Sequence, residues 1–102
     1  MPNKQKQKGD RFEYQMRDLA LEFGLEAKKV PLSGASRDFK DDIYIDGDHY
    51  ECKSRKASPF TQIYNWLEGC SGLFVKSDRK EPLAIIPARD YVELLALIKD
   101  RA

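Results

Sequence analysis

Asp42-Ile43-Tyr44-Ile45-Asp46-Gly47-Asp48-His49-Tyr50-Glu51-Cys52-Lys53 is the stretch on which the fold turns. Two arms of alternating apolar and polar residues flank Asp46-Gly47-Asp48, where glycine accepts positive φ, and together they read as a β-hairpin. A turn centred on Asp46-Gly47 puts Asp42 directly opposite Glu51. A turn centred on Gly47-Asp48 puts Asp42 opposite Lys53 and diagonal to Glu51. Opposed residues share a face and side chains alternate with period two, so either register gathers two carboxylates and one ammonium on one side. A slip of one residue would separate them.

Upstream of the hairpin, Asp10 reads as a helix N-cap with Glu13 in the capping-box position. Phe12, Met16, Leu19, Ala20 and Phe23 follow at helical spacing, and Gly24 is a stop signal. Residues 25–30 suit a first strand, and Pro31-Leu32-Ser33-Gly34-Ala35-Ser36 opens a loop of small residues. Downstream, Ser58-Pro59 reads as a cap and first position of a helix with Phe60, Ile63, Tyr64 and Leu67 inward. Leu73-Phe74-Val75 and Leu83-Ala84-Ile85-Ile86 are short strand runs. Residues 88–101 make a last helix with Tyr91, Leu94, Leu95 and Ile98 inward. Val92 and Leu97 are left as a surplus available for a dimer contact. The order α-β-β-β-α-β-β-α predicts an α/β domain, a mixed central sheet of about five strands flanked by helices. Residues 1–8 read as a flexible basic lead-in and residues 9–102 as one domain.

At 102 residues, 41% hydrophobic and 34% charged, the chain suits one modest core with a solvated surface. No apolar run approaches the roughly 20 residues of a membrane span, and the first residues show no hydrophobic signal region. Cys52 and Cys70 form no CxxC pair; the expectation is buried free thiols in a reducing cytoplasm and no zinc site. The formal net charge of +1 argues little for a polyanion partner, but its distribution does more. Lys4, Lys6, Lys8 and Arg11 face Asp10 alone, and Lys53, Arg55 and Lys56 cluster after the carboxylates. A polyanion responds to such local patches. A solubilising tail accounts equally well for the N-terminal lysines.

Two carboxylates a few ångströms apart repel unless a cation sits between them, and a divalent ion removes that conflict. Mg²⁺, with Mn²⁺ as substitute, takes oxygen ligands and keeps waters, so Asp42, Glu51 and the Cys52 carbonyl form a candidate ligand set. Such an ion makes water a better nucleophile toward phosphorus and absorbs charge on the phosphate. Lys53, two residues from Glu51, is placed to stabilise the transition state. The blander reading is a cross-strand salt bridge on a solvated face. Glu13 serves as a capping residue on spacing alone. With Arg17 one turn on, it could instead overhang the hairpin as a third carboxylate. Gln62 and Ser33 are candidates for catalytic support, although a surface glutamine and a loop serine explain them as well. His49, the sole histidine, reads as an exposed turn residue. Trp66 and Tyr64 read as helix packing, with base stacking as the functional alternative.

With these residues in place, the chain resembles the PD-(D/E)xK nuclease superfamily, and within it the archaeal-type Holliday junction resolvases, which also occur in viruses. Lys8-Gly9-Asp10-Arg11-Phe12-Glu13 is similar to the K-G-x-x-x-E opening of the first helix, and Leu32-Ser33-Gly34 to the small-residue loop. Asp42-Ile43 resembles the metal-binding aspartate and Glu51-Cys52-Lys53-Ser54 the E-x-K-S strand, while Asp41 stands where the nominal motif has proline. The resemblance implies a restriction-endonuclease-like fold with Glu13, Asp42, Glu51 and Lys53 as catalytic residues and Glu13 as a further metal ligand. It also implies a Mg²⁺-dependent endonuclease, a homodimer cutting four-way DNA junctions in the cytoplasm (of the host cell, for a viral member). Lys8, Arg11, Arg17, Lys28, Lys29, Arg37, Lys40, Arg55 and Lys56 are candidate DNA contacts. A VRR-type or other repair nuclease of the same superfamily, with Gln62 in the role of its helix glutamine, is one alternative. A junction-binding module without turnover is another.

Overall fold

The computed structural model describes residues 4–29 and 42–101, with side chains for residues 11–29 and 43–101. The elements run α1 (Lys4–Glu22), β1 (Ala27–Lys29), β2 (Asp42–Ile45), β3 (Asp48–Glu51), α2 (Phe60–Leu67), β4 (Leu73–Val75), β5 (Leu83–Ile85) and α3 (Ala88–Arg101). This is a mixed α/β chain in the order expected from the sequence. The strands lie in two antiparallel sheets, one ordered β1-β2-β3 and one β4-β5. The chain divides into two compact units, Met1–Ser54 and Arg55–Ala102.

In the first unit, α1 begins at Lys4, so residues 4–8 are helical and Asp10 lies inside the helix, not at its cap. Lysine and glutamine are good helix formers, which lets the helix run through Gly9. Glu13 is therefore not a capping residue. Its C-terminal end behaves as expected: Gly24, at φ +80°, donates to the Leu21 carbonyl, and the Leu25 amide donates to that of Ala20. That pair of bonds is the Schellman motif, closed by the buried Ala20 and Leu25 side chains.

The turn at Asp46 and Gly47, with φ of 50° and 86°, has both central residues in the left-handed region, as a two-residue hairpin of matching twist requires. It selects the first of the two registers: Asp42 pairs with Glu51, Ile43 with Tyr50, Tyr44 with His49 and Ile45 with Asp48. β1 adds on the other edge of β2, with Ala27 opposite Ile45, Lys28 opposite Tyr44 and Lys29 opposite Ile43. Asp46 ties the turn to the start of β1: its amide donates to the Glu26 carbonyl at 2.8 Å, and its Oδ1 accepts from the Glu26 amide at 2.9 Å. Helix α1 packs on β1 and β2, and the core holds Ala20, Leu25, Ile43 and Ile45. β3 ends at Glu51, two residues short of the expected arm.

In the second unit, β4 and β5 pair Leu73 with Ile85 and Val75 with Leu83. Several expected faces differ here. Pro59 takes the cap position of α2 and no side chain caps the helix. Tyr64, expected inward, is exposed, whereas Phe60, Ile63 and Leu67 are half-buried. On α3 the inward stripe is Val92, Leu95 and Ala96, and Tyr91, Leu94 and Ile98 are exposed. The helix is apolar on two adjacent stripes, and the one with the smaller side chains is buried. Cys70 is exposed and Cys52 half-buried, so the expectation of two buried thiols holds for neither in full. No helix among the described residues is long and apolar enough to cross a membrane.

Candidate functional site

Face parity in the three-stranded sheet decides which candidate residues meet. Lys29 is opposite Ile43, and its Nζ lies 3.8 Å from Oε1 of Glu13 on α1. The face carrying Lys29, Ile43, Ile45 and Tyr50 is thus the one covered by α1. Residues one step along each strand fall on the other, outer face: Lys28, positions 42 and 44, His49 and Glu51. Asp42 and Glu51 are direct partners there, the first described residue of β2 against the last of β3. Direct partners in antiparallel strands have Cβ atoms about 5 Å apart, a span over which two carboxylates can share one small cation. Glu51 is exposed, open to solvent and to a ligand.

Of the three expected acids, the register brings Asp42 and Glu51 together and leaves Glu13 on the other face. Glu13 points from the buried stripe of α1 into the core and is fully buried. The third-carboxylate role therefore gains nothing from this geometry, because a side chain facing the core side of a sheet cannot reach round to its outer side. Around Glu13 the structure instead builds a cationic and aromatic cluster. The Tyr14 ring has Lys29 Nζ 5.0 Å and Arg17 Cζ 4.7 Å from its centroid. Arg17 also donates to Asp18 Oδ1 from Nε at 3.0 Å and Nη2 at 2.8 Å. Two expected DNA contacts, Arg17 and Lys29, are thus engaged within the unit.

Lys53 is exposed and lies two residues beyond the last paired position, so strand pairing does not hold it on the face of Glu51. Cys52 continues the chain between them. Gln62 is exposed on α2, in the second unit with Arg55 and Lys56, which are exposed as well. Arg11 and Lys28 are exposed in the first unit. Ser33, Arg37 and Lys40, with the small-residue loop, lie outside the described residues, and so do the side chains of Lys8 and Asp42. Among the described residues no three His, Cys, Asp or Glu side chains gather into a metal cluster. A hard divalent ion suits carboxylate and carbonyl oxygens, and of the expected ligands the register pairs positions 42 and 51.

Three features escaped sequence reasoning. The Glu13–Lys29 ion pair joins residues 16 positions apart, and only the register of β1 reveals it. The Tyr44 and His49 rings, cross-strand partners, stand 5.3 Å apart at 48°. Beside them is a concavity of about 530 Å³ lined by Glu26, Ala27, Lys28, Tyr44, Asp46 and Gly47. The alternation of Tyr44 with Ile43 and Ile45 was the available signal for an outward ring at position 44. No protein-family model, curated protein or solved structure matches the chain.

Proposed function

We propose that the chain is a divalent-metal-dependent, structure-specific DNA endonuclease that hydrolyses phosphodiester bonds, with four-way junctions as its substrate. The pairing of Asp42 with Glu51 on the outer face of the β1-β2-β3 sheet carries this reading. In that register positions 42 and 51 are direct cross-strand partners, and Glu51 is open to solvent. The order of elements and the E-x-K sequence that follows the hairpin support the restriction-endonuclease-like architecture as part of the same proposal.

Asp42, Glu51 and the Cys52 carbonyl would hold Mg²⁺ or Mn²⁺, which supplies charge neutralisation at the phosphate and lowers the pKa of water. The chain's own part is positional. The hairpin fixes the two acids as partners, and its tight turn keeps them in register. Lys53 brings an ammonium toward the non-bridging oxygens as their charge grows. Hydrolysis breaks one P–O ester bond, and the new strand ends carry a phosphate monoester and a hydroxyl. A two-fold homodimer would present two such sites to two strands of a junction.

Incubating the protein with a synthetic four-way junction tests this, with Mg²⁺, with Mn²⁺ and with EDTA. Paired nicks that need the metal and vanish in Glu51→Gln are the expected result. Flap and linear duplexes at equal concentration test the substrate: equal cutting of all three removes the junction preference and keeps the nuclease chemistry. Glu13, standing on the opposite face, favours a second reading, a junction-binding module without turnover. Binding in EDTA with no nicks in either metal would establish that reading instead.

A further inference from the structure

The outer face of the first sheet carries more than the acid pair. Lys28, Tyr44 and His49 form one unbroken row across β1, β2 and β3, each opposite the next. Lys28 and His49 are exposed, Tyr44 is half-buried, and the Tyr44 and His49 rings contact each other at 5.3 Å between centroids. Two residues back along β2 and two forward along β3 is the Asp42–Glu51 row, about 7 Å away on the same face. The concavity that Lys28 and Tyr44 line opens beside them.

We propose that Lys28, Tyr44 and His49 form a binding row for a single DNA strand, with a phosphate on the Lys28 ammonium and a base against the Tyr44–His49 ring pair. This rests on the nuclease reading above and names the surface that would lead a strand to the acid pair. A cation beside aromatic rings on which a base can stack is the combination that holds single-stranded nucleic acid without reading its sequence. Charge on the turn side sets the direction of the strand. Glu26, Asp46 and Asp48 are exposed there and repel phosphates. A polyanion therefore crosses the three β-strands along the row and does not run out over the turn. The ordinary alternative is that the two rings pack only on each other and stabilise the hairpin.

His49 is the only histidine in the chain, so its imidazole gives one unambiguous set of NMR signals. The full-length protein is titrated in EDTA with a fluorescent thymidine oligonucleotide, following anisotropy and the His49 ring signals together. Expected are a saturable upfield shift of the His49 signals that tracks binding, and an affinity loss on the order of 10-fold in Tyr44→Leu. Tyr44→Phe should stay near wild type. Lys28→Ala should weaken binding and reduce its salt dependence by about one counterion. The proposal is overturned if the oligonucleotide binds while the His49 signals stay still, or if it does not bind. The wild-type titration needs no variant to fold. The junction assay fails separately: strand binding on the row without metal-dependent nicks overturns the nuclease reading and leaves the row, and nicks with silent His49 signals do the reverse.

Discussion

Lys29 Nζ stands 3.8 Å from Oε1 of a fully buried Glu13, an ion pair that joins α1 to the first strand of the sheet. The Lys29 side chain is 16% exposed, so its charge is only partly hydrated, and the Tyr14 ring beneath it supplies part of what water no longer does. Removing one member of a buried pair takes away compensation for the other charge, which costs more than the pair itself contributes.

Lys29→Met should therefore destabilise the protein by about 3 kcal/mol. Adding Glu13→Gln to it should recover most of that loss, since an amide is less costly to bury than a carboxylate. Urea denaturation of the two single variants and the double variant measures the coupling. A double variant whose loss equals the sum of the singles would show that the two groups do not interact.

The hairpin turn offers a second test. Gly47 sits at φ +86° with open space around an added Cβ, so Gly47→Ala meets backbone strain and no clash. A cost of about 1 kcal/mol is expected, read as a lowered Tm. Asp46 also has positive φ, and its Oδ1 accepts the Glu26 amide. Asp46→Asn keeps an acceptor and tolerates that conformation, whereas Asp46→Ala loses both. The alanine variant should be the less stable of the two by about 1 kcal/mol. Equal melting temperatures would mean that the bond to Glu26 contributes nothing.

What could be read from the sequence and what could not divide along physical lines. The element order was legible, because each element has its own period and punctuation: Gly24 stops α1, Asp46-Gly47 turns the hairpin, and Pro87 precedes α3. The face shared by Asp42 and Glu51 was legible too, since both plausible turns gave the same parity. Three things were not. The start of α1 was obscured because Asp10 and Glu13 mimic a capping box in a stretch where the neighbouring residues are helix formers. The side of the sheet on which Glu13 falls depends on how β1 aligns with β2, and no local pattern encodes that alignment. On α3, Tyr91, Leu94 and Ile98 and the adjacent Val92, Leu95 and Ala96 both have helical spacing, and packing alone chooses between them.

That choice on α3 is measurable. Val92 is 1% exposed and Leu94 51%. Val92→Ala removes buried methyl groups and should cost about 2 kcal/mol. Leu94→Ala removes more carbon from a surface position and should stay within about 0.5 kcal/mol of wild type. Denaturant midpoints of the two variants decide it. If Leu94→Ala proves the more damaging, the stripe of Tyr91, Leu94 and Ile98 is the buried one.

The acid pair makes a claim about additivity as well as about activity. If Asp42 and Glu51 hold one ion between them, losing either carboxylate removes most of the ion's effect, and losing the second has little left to remove. Asp42→Asn and Glu51→Gln should each reduce Mg²⁺-dependent junction cleavage by at least about 100-fold, and the double variant should be no worse than the weaker single. Neither substitution touches the face under α1, so the Tm should hold or rise slightly as the repulsion between partners disappears. Two independent contributions would instead multiply, giving a double loss near the product of the singles. Single-turnover cleavage rates at saturating Mg²⁺, set beside the melting temperatures, separate the two outcomes. Multiplied losses would mean that the two partners across the ladder do not act on a common ion.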